Sequence, residues 1–332
     1  MINFAIIGTG WITDSFIQSA HSTNSWKLTT VFSRSADSAT AFAQKHNITS
    51  THTTLESLVS DTSIQVVYIA SPNSLHYAHA KQCLQAGKHV IVEKPATSTA
   101  KELRQLFEIA EANDVFLLEA YRHIQEPNFR VLEKVVKEGK LLGNIYGASL
   151  TYASYSSRYN NVLAGETPNI FSLDFSGGSL VDLGVYPISA AIALFGLPVS
   201  QSYKPYIIVT GADGGGIITL NYEKFGVSIN ASKIYTSSAP SEIYGERGTI
   251  SMNGVTDIER VDFWDAKTKK TEKLGGEKVV LNMEDEAREF GRIIESMDME
   301  AYGRLRVISD GVQKVTEDLR RQNGLVFKVE RG

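Results

Sequence analysis

The sequence predicts an α/β chain of two domains: a doubly wound parallel sheet over residues 1–121, then an α+β domain over 122–332 built on a large, open, mostly antiparallel sheet. Three observations carry this. In the first third, short β-branched runs alternate with segments of helical period, the pattern of parallel βαβ units. Beyond Tyr121 the alternation gives way to strands set apart by turn residues. A chain of 332 residues also exceeds what one hydrophobic core usually serves, so two cores are expected.

The elements follow in order. Phe4 to Ile7 reads as a strand, Ile12 to Ala20 as a helix, Leu28 to Ser33 as a strand and Ala36 to His46 as a helix. Ile64 to Ala70 is a continuous apolar run, which suits a strand buried on both faces. A helix from about Leu75 to Ala86 follows, with Gly87 placed to end it as the residue just past the cap. Then come strand His89 to Glu93, helix Ala100 to Asn113 and strand Val115 to Leu118. In the second domain a helix is expected over Asn128 to Lys137, followed by strands at Ile145 to Tyr155, Tyr206 to Thr210, Ile217 to Tyr222, Gly226 to Ile234, Glu242 to Tyr244 and Thr249 to Met252. Gly214-Gly215-Gly216 and Gly245-Glu246-Arg247-Gly248 read as turns between them. Ile188 to Leu194 is helical, and so is the tail from Met283 to Gln322, whose apolar residues Phe290, Ile293, Ile294, Val312, Val315 and Leu319 recur at helical spacing.

Composition narrows the function classes. Thirty-three basic against 37 acidic side chains, with no basic stripe, argue against a nucleic-acid partner. Cys83 is the single cysteine, so no intrachain disulfide can form and a reducing cytoplasm is expected. The amino terminus runs straight into a strand without a basic leader, and no apolar stretch approaches the ~20 residues of a membrane helix. A cytoplasmic chain without membrane contact is expected, and no metal-ligand cluster is read from it.

Gly8-Thr9-Gly10-Trp11-Ile12-Thr13 lies between a strand and a helix, so its first two glycines allow a tight turn and close approach of a pyrophosphate to the helix amino terminus. Gly8, Thr9, Gly10, Trp11 and Ile12 are therefore candidate cofactor residues, while Thr13 stands where the dinucleotide fingerprint wants Gly or Ala and should loosen helix-to-strand packing. The second strand ends Ser33-Arg34-Ser35, with no carboxylate for a ribose hydroxyl and with a guanidinium suited to a 2′-phosphate. NADP(H) is expected over NAD(H); if Arg34 only covers the adenine, either cofactor fits. Ser71-Pro72-Asn73 and His76 open the helix after the third apolar strand, where Asn73 either reaches the cofactor or caps the helix, and His76 supports that helix.

Glu93-Lys94-Pro95 ends a strand at the carboxyl edge of the sheet, where open α/β sheets bind ligands, so Lys94 is the leading candidate for chemistry, with Glu93 and Pro95 holding it. A cis bond before Pro95 is compatible with this. Gly177-Gly178 leads into Asp182-Leu183-Gly184-Val185-Tyr186-Pro187, and residues four apart share a helix face, so Asp182 and Tyr186 can converge on one ligand. Oxidising an alcohol needs a base for the hydroxyl proton while hydride departs. With Lys94 nearby Tyr186 suits that part; otherwise it is a core tyrosine beside a capping aspartate. Arg122 and His123 either face the cleft or brace the domain junction. Tyr152, Tyr155, Arg158, Tyr159 and Asn160 either line a sugar pocket or pack between sheet and helix.

Together, Gly8-Thr9-Gly10, Ser71-Pro72-Asn73 with His76, Ala86 through Val90, Glu93-Lys94-Pro95, Leu118-Glu119-Ala120 and Gly177-Gly178 through Pro187 resemble the glucose-fructose oxidoreductase, inositol dehydrogenase and rhizopine-catabolism family, Gfo/Idh/MocA. The resemblance covers essentially the whole chain. It implies an amino-terminal Rossmann domain, NAD(P) binding, a homodimer or homotetramer through the second sheet, and Lys94 as the active-site lysine. Inositol dehydrogenase-like members carry histidine where this chain has Tyr186, so the resemblance points away from inositol and toward dihydrodiols, sugars, polyols or vicinal hydroxy-carbonyl compounds. Two rivals remain: a silent sensor of dinucleotide or sugar, and an enzyme that oxidises and re-reduces its substrate on bound cofactor, an epimerase or lyase.

Overall fold

The computed structural model describes residues 1–278 and 280–331; Val279 and Gly332, the last residue of the expected second domain, lie outside the described residues. The chain divides into two compact units, Met1–Arg122 with Val280–Asp310 and His123–Val279 with Gly311–Gly332, where the sequence reading ran one domain from 122 to 332.

The first unit opens β1 (Ile2–Ile7), α1 (Trp11–Ser22), β2 (Trp26–Phe32), α2 (Ala36–Lys45), β3 (Ser50–His52), α3 (Leu55–Ser60), β4 (Val66–Ile69), α4 (Asn73–Gln85), β5 (His89–Glu93), α5 (Ala100–Ala112) and β6 (Leu117–Ala120). All six strands are parallel, in the order β3-β2-β1-β4-β5-β6. The order reverses at β1, so the crevice beyond the carboxyl ends of β1 and β4 is the switch point where such sheets take ligands. Phe4, Phe16, Trp26 and Tyr68 fill the core beneath it, with Phe16 stacked on Tyr68 at 3.9 Å and edge-on to Phe4 at 5.9 Å. Gly87 ends α4 with φ +72°, as its position requires. β3 and α3 went unread in the sequence.

The second unit carries α6 (Pro127–Glu138), β7 (Ile145–Ala153), α7 (Arg158–Leu163), α8 (Val185–Phe195), β8 (Ser200–Ile207), β9 (Asp213–Asn221), β10 (Gly226–Ser232), β11 (Ser241–Gly245), β12 (Gly248–Met252), β13 (Val261–Asp265) and β14 (Thr271–Lys273). Its eight-stranded sheet runs β14-β13-β12-β11-β7-β10-β9-β8. Only β7 and β10 pair in parallel, so the mostly antiparallel expectation holds. Three details differ from the sequence reading. β8 begins at Ser200, six residues before the expected strand; β13 and β14 were not anticipated; and Gly214-Gly215-Gly216 lies inside β9 rather than in a turn. The glycines are there because neighbours crowd them: a Cβ on Gly216 would stand 2.3 Å from the Lys204 carbonyl oxygen, and one on Gly215 2.6 Å from Ser232 Oγ.

The helical tail is two helices, α9 (Glu284–Ser296) and α10 (Met299–Gln322), broken where Met297 takes φ +49°. In the first unit, α9 packs beside α1, and the Trp26 indole donates to the Ala287 carbonyl at 2.9 Å. The segment Leu173–Phe195 corrects the membrane expectation in one respect, since it is long and apolar enough to cross a bilayer by length and composition. Its most apolar stretch is 78% buried, so that apolarity serves a core.

Candidate active site

The phosphate loop is built for close approach. Gly8 takes φ +109°, and a Cβ there would stand 2.5 Å from the Ala70 carbonyl oxygen, so no side chain fits between β1 and β4. Gly10 caps α1 without a side-chain bond, and a Cβ on it would meet nothing within 4 Å. The start of α1 therefore has no side-chain cap and has room beside Gly10, which fits the diphosphate of a dinucleotide. Thr9 and Ile12 are half-buried beside this opening and Trp11 is exposed. Thr13 is fully buried, and its hydroxyl has no hydrogen-bond partner among the described residues, which is the physical form of the fingerprint mismatch.

Around this loop, Ser33 is half-buried and Arg34 exposed just past β2; Ser33 Oγ accepts from the Ser35 amide at 3.4 Å and Ser35 caps α2. The cap of α4 is Pro72, which makes no side-chain bond, and Asn73 is the first residue of that helix. Ser71 Oγ meets His79 Nδ1 at 3.0 Å, and burial brings the His79 imidazole down to about 4, so it is neutral near pH 7. His76 is fully buried with both ring nitrogens on carbonyl oxygens, Ser71 at 2.7 Å and Pro95 at 2.9 Å. It straps the cofactor loop to the lysine turn.

That turn follows β5 directly. Lys94 is half-buried, and the Lys94–Pro95 bond is cis. Glu93 Oε1 accepts from the Tyr68 hydroxyl at 2.6 Å, and burial raises the Glu93 carboxyl although the Lys94 charge opposes it. Arg122 opens a 3-10 turn, and its charge acts on Glu93 and on the fully buried Glu286 of α9. Burial lifts Glu286 well above its ordinary range, with the Glu93 charge adding to the effect.

Beyond Pro95, the Ala96 amide donates to Glu119 Oε1 at 2.8 Å. Burial pushes Glu119 up to about 7, the Ala96 amide only partly offsetting it. The folded chain thus holds this proton over a range where the unfolded chain has released it. The stability contributed is complete below about pH 4.5 and is lost as pH rises through about 7, a change of ~3 kcal/mol. Glu119→Gln is expected to flatten the fall in melting temperature between pH 5 and pH 8; an unaltered slope would refute the assignment.

In the second unit, Gly177 and Gly178 precede a π-helical turn, Leu180–Gly184, that carries Asp182 and runs into α8 with Tyr186. The Leu180 amide donates to Asp213 Oδ2 at 2.7 Å, as does the Tyr203 hydroxyl at 2.8 Å. A Cβ on Gly177 would stand 2.4 Å from the Asn169 carbonyl oxygen, which explains the first glycine. Asp182 ion-pairs with Lys233, a residue the sequence reading treated only as part of a strand. Tyr186 lies edge-on to Tyr152 at 5.2 Å and to His123 at 5.1 Å. His123 is fully buried, 3.1 Å from the Tyr186 carbonyl oxygen and 3.0 Å from Ser189 Oγ, so it braces α8. Tyr155, Tyr159 and Phe171 form an aromatic row at 5.9 and 5.8 Å, with Tyr155 bonded to Asn160 and Arg158 exposed alongside. Lys94 belongs to the first unit, and Asp182 and Tyr186 to the second.

Residues 2–121 match a family model described as an oxidoreductase family with an NAD-binding Rossmann fold, and residues 129–251 match the GFO/IDH/MocA C-terminal domain. The chain belongs to the Gfo/Idh/MocA oxidoreductase family. Among the members it resembles, a scyllo-inositol 2-dehydrogenase (NADP(+)), IolU of Bacillus subtilis, is 38% identical over 99% of both chains. A mouse trans-1,2-dihydrobenzene-1,2-diol dehydrogenase is 28% identical over 73% of this chain and 71% of its own. The crystal structure of KijD10, a 3-ketoreductase from Actinomadura kijaniata in complex with NADP and TDP-benzene, superposes with TM-score 0.81 over 96% of this chain and 97% of that one, at 20% identity. Gfo/Idh/MocA membership makes the chain an oxidoreductase of the dehydrogenase and reductase kind.

Proposed function

We propose that the protein is an NADP(H)-preferring dehydrogenase of a polyol, sugar or dihydrodiol, with a cyclic polyol as the first class to test. The observation that carries this is the 38% identity, end to end, with a scyllo-inositol 2-dehydrogenase that uses NADP(+). It returns to the reading the inositol class that Tyr186 had set aside. Ser33 and Arg34 past β2 supply the cation and hydroxyl that suit a 2′-phosphate.

Gly8, Gly10 and the amino-terminal turn of α1 would hold the diphosphate, with the start of α4 alongside. The nicotinamide, when bound, takes up or returns the hydride. Tyr186 takes the hydroxyl proton of the alcohol as its C–H bond is broken, and gives it back in the reverse direction. Lys94 stabilises the negative charge that develops on that oxygen, and Asp182 orients the substrate. Glu93, His76 and Glu119 keep the Lys94 turn in place from below.

Absorbance at the reduced-nicotinamide band, read with NADP+ or NAD+ and a panel of inositols, sugars and diols, tests this. Net accumulation of NADPH with a polyol supports it; conversion of the polyol without net absorbance change favours internal redox, and neither conversion nor absorbance change favours a sensor. Arg34→Ala is expected to weaken NADP+ binding by ~10-fold or more while leaving NAD+ within a few-fold. An unchanged preference removes the argument from Arg34.

Two further readings belong to the same proposal. The outer face of the second sheet exposes Tyr206, Ile217, Tyr244 and Trp264, an apolar surface that suits a homodimer or homotetramer, to be read by light scattering. A single buried cysteine, with its thiol pushed up to about 12 by burial, suits a cytoplasmic protein that relies on no intrachain disulfide.

A further inference from the structure

Lys233 follows β10, and its backbone is pinned on both sides. Its amide donates to the Gly214 carbonyl at 2.8 Å, and its carbonyl accepts from the Ser156 amide at 2.9 Å. The side chain is 5% exposed, ends 5.4 Å from the centroid of the Phe171 ring and ion-pairs with Asp182 Oδ2. Taking an ammonium and a carboxylate out of water is expensive, and an apolar pair of similar volume often serves a fold equally well. Stability alone therefore gives little reason for a lysine here.

The pair is also lopsided. The Asp182 side chain is 27% exposed against 5% for Lys233, so the pair is closed on the lysine side and opens on the carboxylate side. Asp182 sits in the π-helical turn whose first amide Asp213 holds, and Tyr186 follows four residues later. Asp213 anchors the start of that turn and Lys233 anchors its middle. Turns of this kind recur at functional sites, where one inserted residue re-aims a side chain.

We propose that Lys233 is a positioning residue that aims the Asp182 carboxylate at a substrate hydroxyl and thereby selects polyhydroxylated substrates. The inference rests on the reading that Asp182 orients the substrate. A carboxylate is an acceptor only, so it takes a ring hydroxyl that donates and offers nothing to a carbonyl or ether oxygen at the same position. A site built to bond a hydroxyl rejects the analogue lacking it far more strongly than an apolar pocket could.

The test compares wild type with Lys233→Met, Lys233→Arg and Lys233→Gln. NADP+ is the cofactor, and scyllo-inositol and its monodeoxy analogue are the substrates. In wild type the parent polyol should be preferred over the deoxy analogue by ~100-fold in kcat/KM. Lys233→Met should raise KM for the parent at least ~10-fold, keep kcat within about threefold and collapse that preference, with Lys233→Arg recovering most of it. A methionine variant that binds NADP+ normally and keeps both the KM and the preference overturns the inference. If it does not fold, Lys233→Gln, which removes the charge but keeps a donor and leaves Asp182 in place, decides: a raised KM with a weakened preference supports the proposal, and retention of both overturns it. Wild type inert toward every polyol sinks the functional reading and this inference together, whereas an active wild type with an indifferent variant sinks the inference alone.

Discussion

Lys94→Ala is expected to lower kcat by ~1,000-fold, about 4 kcal/mol of transition-state stabilisation, while the Kd for NADP+ stays within a few-fold. The turn that presents the lysine is also held by bonds that do not involve its side chain. Pro95 is tied to His76, Ala96 to Glu119 and Glu93 to Tyr68, so alanine removes an ammonium and leaves its platform standing. Glu93, buried next to that ammonium, also loses a favourable charge, so its carboxyl should take up a proton more readily in the variant. Steady-state rates with the best polyol, together with a fluorescence titration of the cofactor, read both parts. Turnover at the wild-type rate would remove Lys94 from the chemistry, and loss of cofactor binding would move it from catalysis to the cofactor site.

The second large effect is structural. Gly178 takes φ +143°, and a Cβ there would stand 2.2 Å from Asp213 Oδ1. Asp213 cannot retreat, because it is buried and its other oxygen accepts from the Leu180 amide and the Tyr203 hydroxyl. Gly178→Ala must therefore strain the backbone, break the anchor of the π-helical turn, or both. The expected cost is on the order of 3 kcal/mol or more. That corresponds to a fall of roughly 10 °C in melting temperature for a unit of this size. At temperatures where the variant is still folded, KM for the polyol should rise while cofactor affinity holds, since the damaged turn carries Asp182 and the phosphate loop lies in the other unit. A variant as stable as wild type, with the same KM, would show that the Asp213 contact matters little.

Local patterns carried most of the cofactor unit. β5 was read residue for residue, because the apolar run His89 to Glu93 is bounded by Gly87 on one side and Pro95 on the other. β3 could not be read this way: Ser50-Thr51-His52 has no apolar face, and backbone pairing with Thr30 to Phe32 alone makes it a strand. The glycine triplet in β9 was misread for a related reason. Glycine marks a turn when the chain needs a positive φ, but it also marks a strand that neighbouring backbone and side chains press from both sides. At the site, Lys94, Asp182 and Tyr186 stood out by their place at strand ends and by helical spacing. Lys233 did not, because a lone cation within an expected strand carries no signal of its own, and its partner lies 51 residues away in sequence. Glu286 was hidden among the acidic residues that open α9, a pattern that favours a helix start whether or not one of them is buried.

The indole of Trp26 donates to a carbonyl 261 positions further along the chain. At ~5–20 residues per second a ribosome needs roughly 13–50 s to bridge that interval. Throughout it the nascent nucleotide-binding half stays one helix short, with the flank of α1 open to chaperones, to other unfinished chains and to proteases. Maturation of that half is thus timed by the arrival of α9, and a premature stop codon between the first unit's sheet and Glu284 would release a polypeptide whose glycine loop is present but whose wall is missing.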